Sequence, residues 1–253
     1  VLGVAPDGAA RALGWVALRD RDGRAFPAGE LDPESIAITP EGDLLVGTEA
    51  VRERGVPVRV LRFGRDGRLV GEVPLPRYWM PAAGTGARDN SGAEALAVSP
   101  DGSTLFVGLE SALLQDGQAA SRGGGSRSRV LEVDLARLVA VRETVYPVDP
   151  VPEPAAIRGG EETNGLAELL AVSSTTLLAL ERSYSEGTGN RVRIYRVDVA
   201  GGDDVLGMES LDDGVRPAGK TLVADLSDLG VDPDNLEAMA PGPPRPDGRG
   251  TLV

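Results

Sequence analysis

The chain has 253 residues, a net charge of −13 and 41% hydrophobic residues, which describes a single acidic globular domain and not a disordered chain. That charge argues against nucleic acid as a partner, because phosphate backbones select basic surfaces, and no apolar run approaches the ~20 residues needed to cross a bilayer. Cysteine and histidine are both absent, which excludes disulfides, an ordinary zinc or copper centre and a Ser-His-Asp triad. Any metal here is a hard cation on oxygen ligands, and calcium fits best.

The chain begins at Val1 and stops in the apolar run Thr251-Leu252-Val253, so both ends read as cut from a longer protein, and no signal peptide is visible. Lys220 is the only lysine among the basic residues, a bias expected of a GC-rich bacterial coding sequence. Residues 12–30 alternate apolar and polar and turn at Asp22-Gly23; residues 58–76 repeat the shape and turn at Asp66-Gly67. An Asp-Gly pair between alternating runs predicts a hairpin.

Arg88–Ser111, RDNSGAEALAVSPDGSTLFVGLES, contains the clearest unit of the chain. Glu94 opens a small-apolar run, Asp101-Gly102 turns it, and a second apolar run returns to Glu110. Glu34 to Glu49 is an earlier copy, Glu168 to Glu181 a later one, and Glu237 starts a fourth. The leading glutamates recur about every 60–75 residues, the period of a four-stranded blade carrying insertions. Those insertions are expected to be surface loops at Gln115–Ser128, Pro147–Thr163 and Gly201–Gly219.

The expected fold is all-β, a propeller of four-stranded antiparallel blades at 34–73, 94–145, 168–225 and 237–253, with the tail of an earlier blade at 12–26. Ala93–Val98 and Leu166–Val172 have helix-compatible compositions, but each is stopped within a few residues, so both are expected as inner strands.

In a propeller the first strand of every blade lines the central channel, so Glu34, Glu94, Glu168 and Glu237 are expected to form a ring there. Asn90, Asn164 and Asn235 precede three of them, which completes an oxygen ligand set for a hard cation. The plainer alternative is that these polar residues knit blades together by pairing with arginine or capping backbone N–H groups. Glu49, Glu110 and Glu181 end the second strands and fit a solvated rim equally well. Arg88, Arg52 and Arg182 flank motif copies; each either holds an anion by paired hydrogen bonds or neutralises a neighbouring glutamate. The Gly123–Gly125 run lacks the ending and setting of a phosphate loop and reads as a linker.

The stretches DPESIAI, RDNSGAEALAVSPDGSTLFVGLES, NGLAELLAV, LLALERSYSEGTGNRVRIYRVDV and DNLEAMAPGP resemble the phytase-like family described as esterase-like activity of phytase. More distantly the chain is similar to the calcium-dependent β-propeller phytases. The resemblance implies a propeller of about six blades when complete, export from the cytoplasm, and a small phosphoester substrate. It also implies a metal-activated water that attacks phosphorus. By position it carries Glu34, Glu94, Glu168, Glu237, Arg88, Asn90 and Asn164 into the acidic motif, with Glu94, Arg88 and Glu168 in catalytic roles. Ser35, Ala95, Leu169 and Ala238 stand where such motifs often have glycine. Two other functions stay open: a binding propeller that calcium merely stabilises, and a lactonase-type esterase. Oligomeric state stays open as well.

Overall fold

The computed structural model describes residues 2–4, 10–12, 14–230, 232–245 and 247–253. Position 13 of the expected 12–26 tail and position 246 of the expected 237–253 blade lie outside these. Among the described residues the regular structure is strand, broken only by four single-turn 3-10 segments.

Strands β1 (Leu2–Val4) and β2 (Ala10–Ala12) form a short antiparallel pair. Three four-stranded antiparallel sheets follow. The first contains β3 (Pro33–Ile38), β4 (Leu44–Thr48), β5 (Arg59–Phe63) and β6 (Leu69–Val73). The second contains β7 (Ala93–Val98), β8 (Thr104–Leu109), β9 (Ser126–Asp134) and β10 (Val139–Val148). The third contains β11 (Glu162–Ala171), β12 (Thr176–Ser185), β13 (Gly189–Asp198) and β14 (Gly219–Asp225). Within each sheet every strand pairs with its sequence neighbour, an order compatible with propeller blades. A last pair joins β15 (Pro241–Gly242) to β16 (Thr251–Leu252). Both helix-compatible stretches are strands, as their stop signals predict.

Strand alternation explains how the sheets stack. On β8, Leu105, Val107 and Leu109 join Leu45, Val60 and Trp79 in a core shared with the first sheet. Phe106, between them in sequence, points the other way and packs with Leu166, Leu177 and Tyr195 of the third sheet. A strand buried on both faces must be apolar throughout, hence the unbroken LFV run. The third sheet repeats this, with Leu177 and Ala179 facing the second sheet and Leu180 facing Met239.

Two glycines permit the close stacking. A Cβ on Gly47 would stand 2.2 Å from the Ala93 carbonyl oxygen, and one on Gly108 would stand 2.8 Å from Leu166 Cδ2. Each second strand therefore receives the next blade's first strand against its backbone.

The insertions are less free than expected. β9 already begins at Ser126, and Asp116 is buried beneath it. Val205 and Leu211 of the 201–219 stretch are buried against Val145, because the edge of the second sheet would otherwise leave apolar surface bare.

Candidate functional site

The inner strands β3, β7 and β11 share one irregularity. In β3 the register skips Glu34, between the pairs Pro33/Thr48 and Ser35/Gly47; in β7 it skips Glu94, between Ala93/Leu109 and Ala95/Gly108; in β11 it skips Ala167, and Glu168 pairs with Leu180. An extra residue of this kind makes a β-bulge, which locally twists the strand and re-aims a side chain. The leading glutamate is the extra residue in two copies and directly follows it in the third. That is the structural content of the repeat.

From the first two bulges the carboxylates converge. Asp32, Glu34 and Glu49 each offer an oxygen within 4.8 Å of the others, an acidic triad that could hold a metal ion. Glu49 lies just past β4 and bridges to Gly92 at the start of the next blade; a Cβ on Gly92 would stand 2.6 Å from Glu49 Cα. Glu94 lies in the same seam, close enough to Glu110, Glu49 and Glu34 for their charges to act on it. Glu110 also accepts from Ser91 and lies over Gly165, where a Cβ would stand 2.5 Å from its Cγ.

Such crowding is costly to ionise. Burial first, then Glu110, Glu49 and Glu34, push Glu94 up to about 10. Burial and then Glu34 and Asp32 push Glu49 up to about 7. Glu34 is raised by burial and Asp32, and Glu110 is raised by burial. Arg182 is the cation that acts on Glu34, Glu94 and Glu110.

The expected ring of four is therefore redistributed. Glu34 and Glu94 meet, but Glu49 and Glu110, which also fitted a solvated rim, join them at the centre. Glu237 lies in a strandless segment ahead of β15 and touches the cluster from its edge, with its Oε1 3.4 Å from Arg182 Nη2. Asn235 is exposed and donates to Glu237 at 2.7 Å. Glu168 is held by backbone: the Leu169 amide donates to it at 2.7 Å, and the amides of Leu96 and Met239 also donate. Burial nevertheless raises it to about 8. Its strand bulges one residue earlier, at Ala167, and the groups it meets are amides and not acids.

Arg88 is spent on the 112–117 loop, donating from Nε to the Ala112 carbonyl at 2.9 Å and to the Gly117 carbonyl. Asn90 is exposed, with a positive φ of 51° that turns the chain toward Ser91. Arg52 likewise binds the carbonyls of Thr85, Ala87 and Ala82.

Asn164 belongs to a separate cluster around the single lysine. Its Nδ2 donates to Glu181 at 3.0 Å and to the Asp149 carbonyl at 2.8 Å. The Lys220 ammonium donates to Glu181, to Asp149 at 2.7 Å and to the Pro147 carbonyl at 2.7 Å, and lies 4.0 Å from the Tyr195 ring centroid. Burial opposes ionisation of Asp149, yet its bonds to Lys220 and Tyr195 hold it below the usual range. A third cluster is fully buried: Arg129 binds Asp116 at 2.6 Å and 2.9 Å and Glu143 at 2.8 Å, and Glu143 also accepts from Trp79 and Tyr78. Neither cluster was legible beforehand; the rarity of lysine was the one usable signal.

A chain of stacked four-stranded sheets, with neither histidine nor cysteine, belongs to the all-β class, and its acidic triad could hold a metal ion on oxygen ligands. The family model for phytase-like proteins, described as esterase-like activity of phytase, matches residues 4–253, and the chain belongs to that family. Comparison with curated proteins yields no match. Among the described residues no helix is long and apolar enough to cross a membrane.

Proposed function

We propose that this chain is a calcium-dependent hydrolase of small phosphoesters. The observation that supports it is the convergence of Asp32, Glu34 and Glu49 with Glu94 and Glu110, in a family whose name points to phosphoester chemistry. Five carboxyls answered mainly by Arg182 can ionise together only when more positive charge arrives, and a divalent cation on oxygen ligands supplies it. Asp32, Glu34 and Glu49 would hold the ion.

A bound ion supplies Lewis acidity toward a phosphoryl oxygen and a lowered pKa for water. The protein's residues do the rest. Burial and the neighbouring acids hold Glu94 protonated at pH 7 when no cation is present. With an ion bound, Glu94 would give up that proton and add a further oxygen donor. Glu110 holds Glu94 in place and is itself oriented by Ser91. Glu168 ties β11 to β7 and to the Met239 segment, which fixes the walls of the site. An acidic protein can thus accept an anionic substrate, because the cation bridges them. Family membership also supports a location outside the cytoplasm.

The test is phosphate release from phytate and from bis(p-nitrophenyl) phosphate, with calcium and then with chelator. Activity that requires calcium and disappears in E49Q supports the reading. Turnover indifferent to chelator would sink the metal mechanism. A melting temperature that follows calcium without turnover of any ester would make the protein a calcium-stabilised binding propeller.

A further inference from the structure

Arg182 lies in β12 opposite Gly165, whose missing side chain leaves room for Glu110 beside it. It faces the carboxylate cluster, yet it is poorly paired there. Its one ion pair among the described residues, to Glu237, spans 3.4 Å, longer than the ~2.7–2.9 Å of a charge-assisted N–H···O bond. Its Nε–H is buried and has no hydrogen-bond partner among the described residues. Other arginines are consumed by the protein: Arg129 makes four hydrogen bonds, and Arg191 is held by Asp225 at 2.7 Å and by Glu153. Unsatisfied buried donors are rare in folded proteins, and guanidinium presents its donors as a fork matched to paired oxygens.

We infer that Arg182 binds an oxyanion of the substrate, a role that rests on the phosphoester reading. The Glu237 carboxylate, 45% exposed, shows that an oxyanion is accommodated at that end of the guanidinium, and its long contact makes it displaceable. A phosphoryl group there would have the cation ligands Asp32, Glu34 and Glu49 on one side and the guanidinium on the other. Two positive charges would thus flank one anion: the metal on the carboxylate side and arginine on the side of the third sheet.

The experiment is titration calorimetry of the calcium-loaded chain with phenylphosphonate, which carries a phosphoryl oxyanion but no cleavable ester. R182Q should bind it at least about tenfold more weakly, the loss of one charge-assisted pair. R182K keeps the charge but loses the fork and should also bind it several-fold more weakly. Calcium alone supplies the second readout: R182Q should bind calcium more tightly, since a repelling cation is gone, while R182K should match the parent. A residue that only neutralises the carboxylates would give the calcium effect with unchanged phosphonate affinity, and that result overturns the proposal. Absence of phosphonate binding by the parent chain overturns it too. Phosphonate binding that depends on Arg182, with no turnover of any phosphoester, sinks the hydrolase reading and leaves this one standing.

Discussion

Glu49, just past the second strand of one sheet, lies close enough to Glu94, in the bulge of the next sheet's first strand, for its charge to push Glu94 up, after burial and Glu110. A cation that enters the seam between these blades would have to displace the proton this favours. The charge state of the site and the packing of the blades are therefore coupled.

Stability without metal should fall as pH rises. Glu49, Glu168 and Glu94 have folded-state values of about 7, about 8 and about 10 against an ordinary 4.5, so the native chain holds protons the unfolded chain has released. Their contribution is greatest below pH 4.5 and declines through each folded value, on the order of 1 kcal/mol per pH unit for each group. Calorimetry in chelator should show the melting temperature dropping from pH 5 to pH 9, and added calcium should flatten the slope. A melting temperature that rises over this range in chelator contradicts the buried, protonated seam.

Glu94→Gln separates the proton from the packing. Glutamine keeps the shape and can still donate to Glu49, so metal-free stability at pH 8 should change by less than about 1 kcal/mol. Calcium binding should weaken about tenfold or more, and the proton released on binding should fall by about one. Calorimetry in buffers of different ionisation enthalpy measures that proton directly.

Lysine 220 should not tolerate arginine. Its ammonium has three donors and three acceptors on Glu181, Asp149 and Pro147, with the Tyr195 ring beneath. The planar guanidinium is too large for that box, and K220R should lower stability in urea unfolding. K220M leaves the buried Glu181 without a cation and should cost about 3–5 kcal/mol.

Arginine 129 pins three loops at one end of the second blade. It joins Asp116 of the 112–117 turn to Glu143 of β10 and reaches the Met208 carbonyl at 3.0 Å, while Glu143 receives Trp79. R129M should cost about 3–5 kcal/mol by leaving two buried acids without a cation. Limited proteolysis should then cut first within 204–211, which Asp116 holds through the Leu211 amide at 2.9 Å.

The repeated glutamates marked the right strands. Glu34, Glu94 and Glu168 are spaced so that each falls at or directly after a bulge, and their flanking small-apolar runs do form the inner strands. The partition of those residues was not legible, because it depends on which blade lies next door. Glu94 meets Glu49 across one seam, whereas Glu168 meets the amides of Leu96 and Met239 across another. Nor could Arg88 and Arg182 be told apart, since both simply flank a motif copy. Only the path of the 112–117 loop, which takes up Arg88, leaves Arg182 as the cation facing the acids.

By itself the sequence determined the class of structure and the class of chemistry. Strand alternation and Asp-Gly turns are local and need no partner, and a chain without histidine or cysteine offers a metal only oxygen. The tertiary structure decided which carboxylates form a site. Residues on separate blades meet only once the sheets stack, and burial in that seam is what turns ordinary glutamates into acids that hold their protons.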